Sequence, residues 1–412
     1  IEVYQNEYAP GFPFEERPAG RPRRRSSLYD RLKAKGARFG ARGGWERAVF
    51  FDPKNASAKP VLSFRRAQEW WPLVREEVAA VRERVGLLDL PGFGKFEVSG
   101  SGAAVHLDRI VCSRLPRVGR ASLAYALTPQ GKVLSEFTIT RIAPDRFYVV
   151  CASTAEWHDH DVLSAHLPAD GSVRIDDLTE RLGTLILAGP RSRDVLARVT
   201  AADLATTAFP WLATQKITIG SATVRAIRMT YVGELGWELH APMHLLPDLY
   251  DALSKAGEAE GIRDFGIYAV DSLRLDKGYR GWKTDLEIGY GPLEASLDRF
   301  VDLSKPDFIG RDAVLEEHRR GPKHRLVPLT LDAAGDADAP ACASVFLGDA
   351  TVGLATSGGW SPTLERSVAL AYVRTDLARP GTKLEIEIFG ERRAATVGRE
   401  PLYDPQNLRL RA

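Results

Sequence analysis

Two acidic positions draw attention first. In Tyr231-Val-Gly-Glu-Leu-Gly-Trp-Glu-Leu-His240 two glycines, aromatics and glutamates fall within ten residues, directly after the alternating run Val224 to Thr230. Alternation predicts a strand, and the paired glycines predict a turn that brings backbone close to a neighbour. Beyond the turn, Trp237 and Leu239 alternate with Glu238 and His240, so one face is apolar and the other carries a carboxylate. Upstream, Gly131-Lys-Val-Leu-Ser-Glu-Phe-Thr-Ile-Thr140 and Arg146-Phe-Tyr-Val-Val150 read as strands joined at Ala143-Pro-Asp145. Phe137 and Ile139 share one face of the first strand, while Glu136, Thr138 and Thr140 share the other. Each glutamate has a bland alternative as a solvated strand residue. The chemistry available is that of carboxylates and aromatics, and spacing alone does not say what they bind.

Other chemistries are disfavoured. No GxGxxG or GxxxxGK[ST] follows a strand, no G-x-S-x-G elbow is present, and no cysteine lies in a nucleophile motif. Trp157-His-Asp-His-Asp161 invites a metal, but His158 and His160 are two apart, which aligns them only on a strand. That polar stretch reads as a helix start, so the metal reading is set aside. Cys112, Cys151 and Cys342 are widely spaced, which argues against a disulfide framework or zinc site and fits a reducing, cytoplasmic setting. A net charge of +2 disfavours nucleic acid, and no apolar run approaches the ~18 residues of a membrane span.

The elements that would position the acids follow from patterning. At 412 residues, 44% hydrophobic and 27% charged, the chain is globular and long enough for two or three domains. Residues 1 to 60, rich in proline, glycine and arginine, read as an arm outside the core. Within it a short helix runs from about Ser27 to Lys35, capped by Ser26 or Ser27, and the basic run Arg21 to Arg25 reads as solvated or packed on a partner. Pro72 and the helical spacing of Val74, Val78, Val81 and Val85 predict a helix ended by Gly86. Strands follow at Gly86–Leu90 and Gly94–Val98, then a helix capped by Ser101 containing Val105 and Ile110. Later come a strand over Thr184 to Leu187, helices opening at Pro190 and near Pro247–Lys255, and a helix from Ala269 stopped by Gly278. Past Lys323 the texture becomes short strands: Leu326–Leu329, Ser344–Leu347, Val368–Val373 and Leu384–Phe389. These predict a β-barrel or sandwich, with a boundary near 320.

The ten-residue stretch, together with Leu187-Ala-Gly-Pro-Arg-Ser-Arg193, Asp271-Ser-Leu-Arg-Leu-Asp-Lys-Gly-Tyr-Arg280 and Pro292-Leu-Glu-Ala-Ser296, closely resembles the tetrahydrofolate-binding aminomethyltransferase family. That family includes the glycine-cleavage T-protein and the C-terminal halves of dimethylglycine and sarcosine dehydrogenases. Arg24-Arg-Ser-Ser-Leu-Tyr-Asp-Arg-Leu-Lys33, Gly44-Trp-Glu-Arg47, the run 358–373 and Glu400-Pro-Leu-Tyr-Asp404 are similar to the dehydrogenase branch. The resemblance spans nearly the whole chain. It implies an α+β architecture: a ring of two α+β domains (61–320) after the arm (1–60), a C-terminal β domain (321–412), and tetrahydrofolate in the central channel.

The resemblance also implies roles. Glu238 takes the place of the pterin-binding glutamate, suited to accept parallel N–H bonds from the amino-pyrimidine edge, and Tyr231 supplies an aromatic wall. Glu136 stands where the family has a catalytic aspartate that holds the N10 end of folate and relays charge and protons. It is longer by one methylene, about 1.5 Å. Where the dehydrogenase branch usually has Tyr, this chain has Leu123, with Tyr125 two residues on. Val270 replaces the T-protein's arginine. Leu123, Tyr125 and Trp282 join the expected folate-contacting set. Relatives that serve iron–sulfur assembly resemble Lys-Gly-Cys-Tyr-x-Gly-Gln-Glu, whereas this chain reads Lys277-Gly-Tyr-Arg-Gly-Trp282 and lacks the cysteine. The expected activity is one-carbon transfer from a small methylated substrate, or from formaldehyde or an iminium made by a flavin-dependent partner. The alternative is a non-catalytic folate-binding or docking subunit.

Overall fold

The computed structural model describes all residues except Pro10, 55–62, 67–68 and 333–334. The expected boundary between residues 60 and 61 lies outside the described residues. Two antiparallel-rich sheets, a hairpin and a closed barrel make up the β structure, with helices packed on the outer faces.

The first sheet has five strands in the spatial order Arg120–Leu127, Val133–Ala143, Arg146–Cys151, Gly94–Ser99, Arg174–Asp177. Alternation divides it as expected: Phe137, Ile139, Phe147 and Val149 enter one core with Leu107 and Ile110 of helix Ala103–Ile110. That helix starts at Gly102 without a side-chain cap, so Ser101 does not cap it, and Val105 points outward at 75% exposed. Ala103 at one end and Leu107 one turn on bear the packing instead.

The second sheet orders Thr214–Ile219, Ala222–Ile227, Gly236–Pro242, Leu182–Ala188, Gly86–Asp89 and Arg263–Asp264. Trp237 and Leu239 are fully buried against helix Leu246–Gly257. The opposite face packs Ile186 and Leu88 on helix Trp71–Glu83, whose Val74, Val78 and Val81 form the predicted stripe. Both glycines of the 231–240 stretch do what a tight turn needs. Gly233 sits at φ +76°, where a Cβ would strike the Lys277 side chain at 2.4 Å, and a Cβ on Gly236 would meet the Leu187 carbonyl at 2.3 Å.

Residues 28–51 depart from the reading of an arm. Leu28, Leu32, Ala37, Ala48 and Phe51 enter the core of the second sheet, and strands Ala37–Arg42 and Trp45–Phe51 form a hairpin on it. The predicted short helix is Tyr29–Ala34, with no side-chain cap at its start. Ser26 instead hydrogen-bonds Asp89. The basic run is not solvated as a whole: Arg21 pairs with Glu46, and Arg24 with Glu156 at 2.6 Å while lying 4.5 Å over the Trp45 ring. A basic run reads as solvated when its acidic partners lie far along the chain.

From His324 the chain forms a closed six-stranded barrel. Besides the four anticipated strands it contains Ala350–Ser361 and Glu391–Val397, whose glycines and arginines blur the apolar alternation.

Candidate functional site

The Glu136 face of the first sheet and the Glu238 face of the second meet in a small buried cluster containing Tyr148, Val150 and Ile227. On the first sheet Tyr125 pairs in register with Glu136, Leu123 with Thr138, and Thr140 with Tyr148. These six side chains therefore share the face opposite the Phe137 core. On the second sheet Glu238 pairs with Ile227 and Ile186, and His240 with Thr184, placing these on the face opposite Trp237. The Tyr148 hydroxyl meets His240 Nδ1 at 3.0 Å, joining the two faces. Glu136 and Glu238 thus stand on two walls that meet through Tyr148 and His240.

Glu136 is partly exposed. The Tyr125 hydroxyl, itself 1% exposed, donates to its Oε1 at 2.9 Å. Loss of hydration pushes the Glu136 carboxyl up to about 7, against the pull of the Tyr125 hydrogen bond and the Arg280 charge; Asp159 and Asp285 push it further up. Burial, and then the neighbouring carboxylate, hold the Tyr125 phenol well above its ordinary range, so it remains a donor. An acid titrating near neutrality can both take and give a proton there. Leu123 flanks Tyr125 in an apolar cluster that also contains Trp282. The buried Trp282 Nε1 and Thr140 Oγ1 have no hydrogen-bond partner among the described residues.

Glu238 is 6% exposed, and Oε2 lies 3.3 Å from His240 Nε2. Its Oε1 receives no hydrogen bond among the described residues, leaving acceptor capacity for a ligand donor. Tyr231 is 39% exposed on the turn before this strand. Its hydroxyl donates to the Arg280 carbonyl, and its ring stacks on Tyr279 at 5.7 Å. Val270 is buried in the apolar core beside helix Trp71–Glu83. The expected residues therefore fall into two groups: Leu123, Tyr125, Glu136 and Trp282 on one wall, and Glu238 on the other. Tyr231 is anchored to the 279–280 segment.

Further charged and polar residues surround these groups. Arg280, 6% exposed, donates to Glu400 through Nη2 at 2.9 Å and to the Gly278 carbonyl at 2.7 Å, yet its charge reaches Glu136. Asp285, fully buried, accepts from Arg274 Nη1 and Ser357 at 2.6 Å each and from the Gly281 amide at 2.7 Å. Arg274, inside helix Ile267–Asp276, is thereby structural. His240 could have been singled out by its two-residue spacing from Glu238. The Arg280–Glu400 pair spans 120 residues and leaves no local signal.

Helix Glu156–Ser164 carries the histidine pair, with His158 Nδ1 2.9 Å from Asp159. Among the described residues no group of three or more His, Cys, Asp or Glu is placed to hold a metal.

Residues 28–305 match the GCVT N-terminal domain and residues 324–404 the glycine cleavage T-protein C-terminal barrel domain. The chain is 39% identical to mouse (Mus musculus) dimethylglycine dehydrogenase over 97% of its length, covering 46% of that protein. It is 33% identical to an aminomethyltransferase of Chlorobaculum tepidum, over 79% of this chain and 89% of that one. The crystal structure of glycine cleavage system aminomethyltransferase T from Bartonella henselae superposes with a TM-score of 0.79 at 25% identity, over 93% of this chain and 99% of that one. The chain thus spans about half the length of the dimethylglycine dehydrogenases it matches. Fold, barrel and sequence agree that it belongs to the glycine-cleavage T-protein (GCVT) family.

Proposed function

We propose that this chain is a tetrahydrofolate-dependent one-carbon transferase or demethylase. What supports this most is the placement of two carboxylates of different character, Glu136 and Glu238, on two sheet faces joined through Tyr148 and His240. The folate would supply nitrogen atoms able to carry a one-carbon unit. Glu238 would hold the pterin edge through its unfilled acceptor positions, and Tyr231 would wall the ring. Glu136 would face the reacting nitrogen through Oε2, because Tyr125 occupies Oε1. With an acidity near neutrality it can hold or release the proton that one-carbon transfer moves. Trp282, Leu123 and Tyr125 would exclude water around that nitrogen.

The donor is a small methylated compound, or formaldehyde or an iminium delivered by a flavin-dependent partner or domain. Coverage of about half of a dehydrogenase supports the second route. The three unpaired cysteines suit a reducing cytoplasm.

The test mixes the protein with tetrahydrofolate and candidate methylated substrates, with and without an amine oxidase, and identifies the folate product by mass. Methyl-folate supports direct demethylation, and methylene-folate formed only with the oxidase supports the coupled route. Binding without turnover supports a non-catalytic folate-binding or docking subunit. Absence of folate binding overturns the reading.

A further inference from the structure

We propose that His240 is the positioning residue of the pterin clamp: its Nε2–H holds Oε2 of Glu238, while hydroxyls from both sheets fix which ring nitrogen carries the proton. The inference rests on the reading of Glu238 as the pterin ligand.

His240 is 2% exposed and lies between two sets of partners. Nε2 faces Glu238 Oε2 at 3.3 Å. Nδ1 faces the Tyr148 hydroxyl at 3.0 Å and the Thr184 hydroxyl at 3.1 Å. A carboxylate can only accept, so an ionised Glu238 requires the proton on Nε2. Nδ1 is then a bare acceptor, which Tyr148 can satisfy because burial raises its phenol pKa and keeps it protonated. Burial also lowers the His240 pKa, so the ring is a neutral relay with one donor and one acceptor.

The arrangement runs in one direction, from Tyr148 on the first sheet through His240 to Glu238 on the second. Its effect is to immobilise a carboxylate whose strand neighbours, Trp237 and Leu239, are fully buried on the other face. With one lone pair of Oε2 engaged, the remaining positions of the carboxylate keep a fixed aim. A preoriented acceptor loses less side-chain freedom when the ligand arrives. The charged groups around the pair are Lys95, whose Nζ donates to the Pro91 and Phe93 carbonyls, and Arg225, which lies 4.7 Å over the Tyr148 ring. Both charges disfavour a protonated His240.

The experiment measures tetrahydrofolate affinity of the full chain for the parent, His240→Leu, His240→Gln, Tyr148→Phe and Glu238→Gln. Removing a hydrogen bond to a charged group should weaken binding roughly 10- to 100-fold in His240→Leu. His240→Gln restores an N–H near the Nε2 position and should recover most of the affinity. Tyr148→Phe should weaken binding by a smaller factor, and it carries the test if His240→Leu does not fold. Equal weakening by Leu and Gln, or parent-like affinity in His240→Leu, overturns the inference while Glu238→Gln still abolishes binding. If the parent binds no folate, or Glu238→Gln binds as the parent does, the underlying reading fails and the inference with it.

Discussion

The two walls hold their carboxylates in opposite ways. Glu136 is met by a tyrosine hydroxyl from the neighbouring strand of its own hairpin, and the enclosure around it favours the neutral acid. Glu238 is met by a neutral imidazole two residues along its own strand, with the bracing hydroxyl reaching across from the other sheet. In the proposed roles, one wall adjusts a proton and the other fixes an aim. The strand pattern is the same in both cases, and only the element that supplies the first partner distinguishes the two glutamates.

The comparison breaks most sharply by exchanging the losses. Glu238→Ala should weaken tetrahydrofolate binding by at least ~100-fold in calorimetry, because charge-assisted acceptors are removed from an enclosed site. Glu136→Gln should leave that affinity within roughly threefold while slowing turnover about 100-fold, the ordinary scale of a general acid or base. Equal loss of binding in both variants would erase the division between the walls.

A finer test concerns Tyr125. Its hydrogen bond pulls the Glu136 acidity down toward about 7, so Tyr125→Phe should carry the corresponding limb of the pH–rate profile upward, with turnover at pH 7 changed about tenfold or less. An unmoved limb would detach Tyr125 from the acid.

The smallest effect is on stability. A carboxyl whose folded pKa is raised contributes stability fully below its unfolded value, and that contribution is lost as pH rises through about 7. Glu136→Gln should therefore stabilise the fold by ~1–3 kcal/mol at pH 8.5 and by little at pH 4.5, read by denaturant unfolding. Glu77, pushed up to about 8, and Asp89, pushed up to about 7, tilt the parent the same way, so its own stability should fall between pH 5 and pH 8.5.

Much of this was legible before any coordinates, and the reasons are physical. The faces of Glu136 and Glu238 follow from period-two alternation, because each strand carries its apolar partners at adjacent odd positions. The direct opposition of Tyr125 and Glu136 depends on the hairpin register, which a loop through residues 128–132 sets but alternation alone does not reveal. The burial of 28–51 was hidden because Arg21 and Arg24 look like a solvated run until Glu46 and Glu156 are placed beside them. Arg280 was visible in its motif, but its hold on Glu136 depends on a fold that returns Glu400 to it from beyond the last barrel strand.

That last pair has a further consequence. Glu400, in the segment after the last barrel strand Glu391–Val397, supplies a counter-ion for the guanidinium whose charge reaches Glu136. The C-terminal segment is thus an electrical ballast for a carboxyl on the first sheet. Substituting Glu400→Gln would leave the Arg280 charge less opposed, with Asp285 still facing it, and draw the Glu136 acidity downward. A change in the terminal domain would then be felt as a change in the pH at which the centre of the molecule works.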